Sequence, residues 1–198
     1  VKIPCTNLTV ICAKKCMEVI MKKIISIFMA TFLVATMLVG CSNGNNVNTS
    51  SGLKDSATLS DIVDKIQSEI GIAMGSPVDD AVLKDIFGVN KEDIEEYAGQ
   101  MSMVMTSSDT FLIVKAKEGK VEDVKAALEK RKETIIQGQY LPAEIEKANA
   151  GKIYINGNYV ALMVLGDTMV EEGQDFDSAK AQEEIKKAED IVNSFFNK

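Results

Sequence analysis

The stretch KIYINGNYVALMVLG, residues 152 to 166, constrains the fold more than any other part of the chain. Asn156-Gly157 supplies the positive φ that a two-residue primed turn requires, so the segment predicts a β-hairpin. Its second strand, residues 159 to 165, is apolar on both faces, which puts it in the interior of a sheet. A second pair of strands is expected upstream. MSMVMTS from Met101 alternates, TFLIVKA follows, and Ser107-Ser108-Asp109 marks a tight turn between them.

The remaining segments read as helices. From Thr58 the residues Leu59, Ile62, Val63, Ile66, Ile70 and Ala73 recur at helical spacing, with Thr58 or Ser60 as cap. DDAVLKDIFG predicts a short helix ended by Gly88, and NKEDIEEYAG another, between Asn90 as N-cap and Gly99 as C-cap. Val121, Val124, Leu128, Arg131 and Ile135 share one face of a longer helix, and Pro142 opens a short one. Ala181, Ile185, Ala188, Val192 and Phe195 form the apolar stripe of a C-terminal amphipathic helix. The expected class is α+β: an antiparallel sheet of about four strands in two hairpins, with helices packed against it.

Upstream of this domain the chain changes character. Residues 24 to 39 carry no charge and follow Met21-Lys22-Lys23, which is the layout of a secretory signal. Sixteen residues are short of the roughly 20 that a bilayer-spanning helix needs. Residues 1 to 20 are either a long n-region or sequence upstream of a true start at Met21. The reading is a signal peptide over 1–40. Leu38-Val39-Gly40-Cys41 then looks like a bacterial lipobox, in which Cys41 receives a diacylglycerol thioether. At about 0.8 kcal/mol per buried CH₂, two or three acyl chains such as palmitate would hold the protein at the extracytoplasmic face of the cell membrane. Residues 42 to 57, rich in Asn, Ser and Gly, read as a flexible tether of roughly 22 Å mean reach. One domain, residues 58–198, is expected beyond it.

Cleavage at Cys41 would remove Cys5, Cys12 and Cys16, leaving a single cysteine and no internal disulfide. From Cys41 onward 17 Lys and Arg stand against 28 Asp and Glu. So acidic a surface disfavours nucleic acid as a partner. The chain has no histidine, which excludes a Ser-His-Asp or Cys-His arrangement and imidazole-ligated metal.

Four features could carry chemistry. Glu95-Glu96, or the acids near Asp167, could act as a carboxylate pair, although acidic surfaces carry many such pairs. Asp167, Glu171, Glu172, Asp175 and Asp177 crowd one connector, but their order does not fit a calcium loop, and a solvated linker is expected. Met101, Met103 and Met105 offer soft thioethers, the ligands that select Cu(I). On a strand they would stand about 6.6 Å apart per pair, too spread to meet on one ion, so they are expected to fill the core. Arg131, the one arginine after Cys41, falls on the apolar face of its helix. Either it snorkels to the edge of the helix or a carboxylate meets it, with Glu95, Glu96 or Asp109 as the ion-pair candidates; the functional alternative is that its planar fork reads an anionic group on a ligand or partner, with Tyr97, Tyr140 and Tyr159 as candidate walls.

LKDIFGVNKEDIEEY, FLIVKAKEGKVEDVKAALEKRKE, GQYLPAE and NGNYVALMVLGD, in that order behind a lipobox, resemble the bacterial lipoproteins grouped as domain of unknown function 4358. The resemblance covers about residues 80 to 167. It implies an exported, lipid-anchored α+β domain and brings no activity, ligand or catalytic residue. The functional expectation is a noncatalytic binding or accessory module at the cell surface. Neither cofactor nor metal is expected, and an exported protein is the expected partner. A small-ligand receptor is the alternative, and a carboxylate-dependent hydrolase a weaker one.

Overall fold

A computed structural model describes residues 52–167 and 177–197, so the signal segment, Leu38, Val39, Gly40 and Cys41 lie outside the described residues. The elements run α1 (Leu59–Glu69), β1 (Gly75–Pro77), α2 (Asp80–Asp85), a 3₁₀ turn (Lys91–Asp93), β2 (Ile94–Ser102), β3 (Thr110–Ala116), α3 (Val121–Ile136), α4 (Pro142–Ala150), β4 (Lys152–Asn156), β5 (Tyr159–Val164) and α5 (Ser178–Ser194). The strands form one antiparallel sheet in the order β1-β2-β3-β5-β4. The class is α+β, with five strands where the sequence suggested four. The extra one, β1, is three residues long and ends in proline, too short to show any alternation.

β3 and β5 explain the layering. They are neighbours in the sheet centre, and almost every residue of both is buried. Phe111, Ile113, Ala161 and Met163 point to one face, where they meet Leu59, Ile62 and Ile66 of α1 and Ile185, Ala188 and Val192 of α5. Leu112, Val114, Val160, Leu162 and Val164 point to the other, against Leu83 and Phe87 near α2, Val124, Leu128 and Ile135 of α3, and Ala148 of α4. Strands buried on both sides need apolar residues at every position, which is the pattern read in residues 159 to 165. Each buried Val, Leu, Ile, Phe or Met side chain among them contributes about 1.5–3 kcal/mol.

Local signals set the helix ends. Thr58 Oγ1 accepts from the Asp61 N–H at 3.2 Å while Asp61 accepts from the Thr58 N–H at 2.8 Å, a complete capping box. Asp79 accepts from the Val82 N–H at 2.8 Å to start α2, and Asp177 accepts from Ala179 and Lys180 to start α5.

Three expectations are corrected. Residues 94–99 are strand, not helix: Ile94, Tyr97, Ala98 and Gly99 pair with Ala116, Val114, Ile113 and Leu112. A β-bulge between Ile94 and Glu96 breaks the two-residue alternation and leaves spacing that imitates a helix. Gly99 is no cap but a close approach, since a Cβ there would lie 2.6 Å from the Phe111 carbonyl. In the β4–β5 hairpin Asn156 pairs with Tyr159, so the two central residues are Gly157 and Asn158. Only Gly157 (φ 57°) adopts positive φ, as in primed turns with glycine first. The folded body also begins before residue 58. Leu53 bridges Phe196, the Lys54 N–H donates to the Phe195 carbonyl at 2.9 Å, and the Asn197 N–H donates to that of Gly52 at 3.1 Å. Phe196 packs edge-on against Tyr159 at 4.9 Å, so the chain enters at the end of the sheet that carries the β4–β5 turn. The β2–β3 loop lies at the opposite end.

Candidate functional site

Helix α3 lays Val124, Leu128 and Ile135 into the core, and Arg131 follows on the same side as a half-buried residue. Its guanidinium stands 5.9 Å from the ring centre of Phe87, within cation–π range. Phe87, fully buried just beyond α2, is fixed by the turn at Gly88 (φ 68°). The Nε of Arg131 is buried and has no hydrogen-bond partner.

The expected ion pair is absent. Glu95 is engaged with Lys115 at 2.7 Å, and Asp109 with Lys147 at 2.6 Å. Glu96 sits beside Lys115 in the β2–β3 register, and among the described residues Arg131 makes no salt bridge. Lys115 of β3 and Lys147 of α4 engage Glu95 and Asp109 instead. Arg131 instead lines a cleft of about 600 Å³ with Asp85, Ile86, Phe87, Met101, Lys130 and Tyr140 among its walls. A cationic fork therefore meets an aromatic and apolar wall in a concave space, an arrangement suited to an anionic group on an apolar body. Of the three candidate tyrosines only Tyr140 borders this space. Tyr159 is core, and Tyr97 donates to Asp80 at 2.6 Å in a separate cleft. Burial, then the Asp80 carboxylate, pushes the Tyr97 phenol up to about 12.

A second charged cluster was not foreseen. Lys147 of α4 is 1% exposed, and its Nζ lies 2.6 Å from Asp109 Oδ1 and 2.9 Å from Glu144 Oε2. Glu144 also accepts from the Ser108 N–H at 2.6 Å and its hydroxyl at 2.8 Å, and Asp109 accepts from the Ser107 hydroxyl at 3.0 Å. Burial holds the Asp109 carboxyl above its usual range, although Lys147 pulls it back. The network fastens the β2–β3 loop to α4. The spacing of Glu144 and Lys147 was visible in the sequence, but it is also the spacing of an ordinary exposed helical pair.

The methionines depart from expectation. β2 ends at Ser102, so Met103 and Met105 stand in the following loop, exposed, and only Met101 packs partly against the core. Of the acidic connector, residues 168–176 lie outside the described residues, and with them the calcium question. Among the described residues no group of three His, Cys, Asp or Glu side chains is placed to hold a metal ion, and no helix is long and apolar enough to cross a membrane.

A five-stranded antiparallel sheet covered by helices on both faces, with an arginine that has no counter-ion among the described residues lining a side cleft, defines an α+β domain. Residues 68–165 match the family described as Domain of unknown function (DUF4358), and the chain carries a domain of that family. No curated protein and no solved structure matches the chain.

Proposed function

We propose that the protein is a noncatalytic binding module, lipid-anchored through Cys41 at the extracytoplasmic face of the cell membrane, whose working position is the Arg131 cleft. The observation that carries this reading is the half-buried, unpaired guanidinium. Its Nε is buried without a protein acceptor and, among the described residues, the guanidinium has no counter-ion, so a carboxylate or phosphate in the cleft would supply the charge that the fold does not. The volume, about 600 Å³, lies in the range of small-ligand pockets. That favours a compact anionic ligand, or one anionic group of an exported partner protein, over a broad face-to-face interface. Against catalysis stands the engagement of the foreseen acid Glu95 by Lys115.

The chain enters the domain beside Tyr159, whereas Met101 of the cleft is one residue from the far end of β2.

Crosslinking in intact cells, followed by purification from membranes and mass spectrometry, tests the partner arm. Thermal shift of the purified chain against carboxylates and phosphates tests the ligand arm. Arg131→Lys, which keeps the charge and loses the fork, should weaken either interaction, and Arg131→Ala should abolish it. Unchanged capture and unchanged shifts in Arg131→Ala would defeat the cleft assignment. Cys41→Ser should move the protein from the membrane to the soluble fraction with an unaltered melting curve. Retention of that variant on membranes after signal cleavage would defeat the anchor.

A further inference from the structure

The three most exposed large apolar side chains among the described residues are all methionines: Met105 at 95%, Met74 at 74% and Met103 at 63%. Methionine ordinarily fills core gaps, so three thioethers in water need an account other than packing. They come from two segments that are bonded together. The Met103 N–H donates to the Met74 carbonyl at 3.2 Å, and next to it the Ser102 hydroxyl donates to the Ala73 carbonyl at 2.7 Å. Met105 follows two residues on, which limits its Cα to about 7 Å from that of Met103. The turn closed by the Ser107 N–H on the Val104 carbonyl holds it there. Met74 has φ 49°, a left-handed conformation that few non-glycine residues adopt, and one that an exposed side chain does nothing to repay through packing.

The extended-strand geometry that would keep Met101, Met103 and Met105 apart does not hold beyond Ser102. The chain leaves the sheet there, and Met74 takes the place of Met101, which faces the Arg131 cleft. Three unbranched side chains, each with several rotatable bonds, project from one patch at the end of the sheet opposite the chain entry. Neutral thioethers bind hard divalent cations poorly and soft monovalent ones well.

We propose that Met74, Met103 and Met105 form a binding site for one Cu(I) ion, held by three thioether sulfurs. The site is separate from the Arg131 cleft, and its success or failure leaves that reading untouched. Binding is a simple coordination, with no change in oxidation state.

The test uses the full chain with its four cysteines changed to serine and its methionine methyls ¹³C-labelled, titrated with Ag(I), the redox-inert counterpart of Cu(I), in chloride-free buffer. The Met74, Met103 and Met105 methyl resonances should move together and saturate at one ion per chain, while the buried Met163 stays still. Competition against a Cu(I) chelator should give the same stoichiometry. Any single Met→Leu change at these three positions should weaken binding by at least the roughly tenfold that loss of even an outer-shell group costs. Leucine preserves the apolar surface, so a patch that serves only protein docking would keep its behaviour in the Met74→Leu/Met103→Leu/Met105→Leu variant. Ag(I) affinity unchanged in that variant, or methyl shifts that never saturate or that include Met163 equally, would overturn the proposal.

Discussion

Lys147 and Arg131 are both cations of helices on the same face of the sheet, yet the fold treats them in opposite ways. Lys147 is enclosed and answered twice, by Asp109 and Glu144, and those carboxylates are answered in turn by Ser107 and Ser108. Arg131 is half-buried, lies over Phe87 on the wall of a cleft, and has a buried Nε with no partner. A buried charge that is fully paired belongs to the architecture. A cation that is desolvated and unpaired at an open recess is available for something that arrives from outside. The contrast separates a lock from the cleft proposed as a binding site.

The largest expected effect breaks the lock. Lys147→Ala removes the counter-charge of the buried Glu144 and the partly buried Asp109, and should cost about 3–5 kcal/mol, read as a collapse in denaturant midpoint. Adding Asp109→Asn and Glu144→Gln should restore much of that loss, because the remaining groups are then neutral. A single variant as stable as wild type would show that the cluster is not the fastening described.

A smaller effect sharpens the contrast through pH. Burial raises the Asp109 carboxyl above its ordinary value, so the folded state holds this proton more tightly than the unfolded one. Stability linked to Asp109 is therefore fully present below the ordinary carboxylate range, and is lost as pH rises from there through the raised value. The stability difference between wild type and Asp109→Asn should decline across that window and be flat above it. A difference that instead grew with rising pH would mean that Lys147, not burial, dominates at Asp109.

Much of this architecture was legible because its signals are local or periodic. Thr58 and Asp79 mark helix starts, Gly88 ends a turn, and the unbroken apolar run of β5 announces a strand covered on both sides. What failed depended on partners distant in the chain. β2 looked helical because a bulge shifted its spacing, and only its pairing with β3 makes it a strand. Met103 and Met105 alternate as a strand would, but the ladder has ended before them. The site divides in the same way. Arg131 stood out as a lone arginine on an apolar face, whereas the acids proposed for it belong to Lys115 and Lys147. Lys147 was invisible as a buried residue, since the carboxylate of Asp109 that answers its charge lies 38 positions upstream.

Equilibrium unfolding of Arg131→Ala beside wild type tests the central claim most directly. An unpaired arginine that contributes only its stacking on Phe87 should leave stability within about 1 kcal/mol of wild type. A loss of about 3–5 kcal/mol, the size of a broken buried pair, would place Arg131 in the architecture with Lys147 and remove the recess from the account of function.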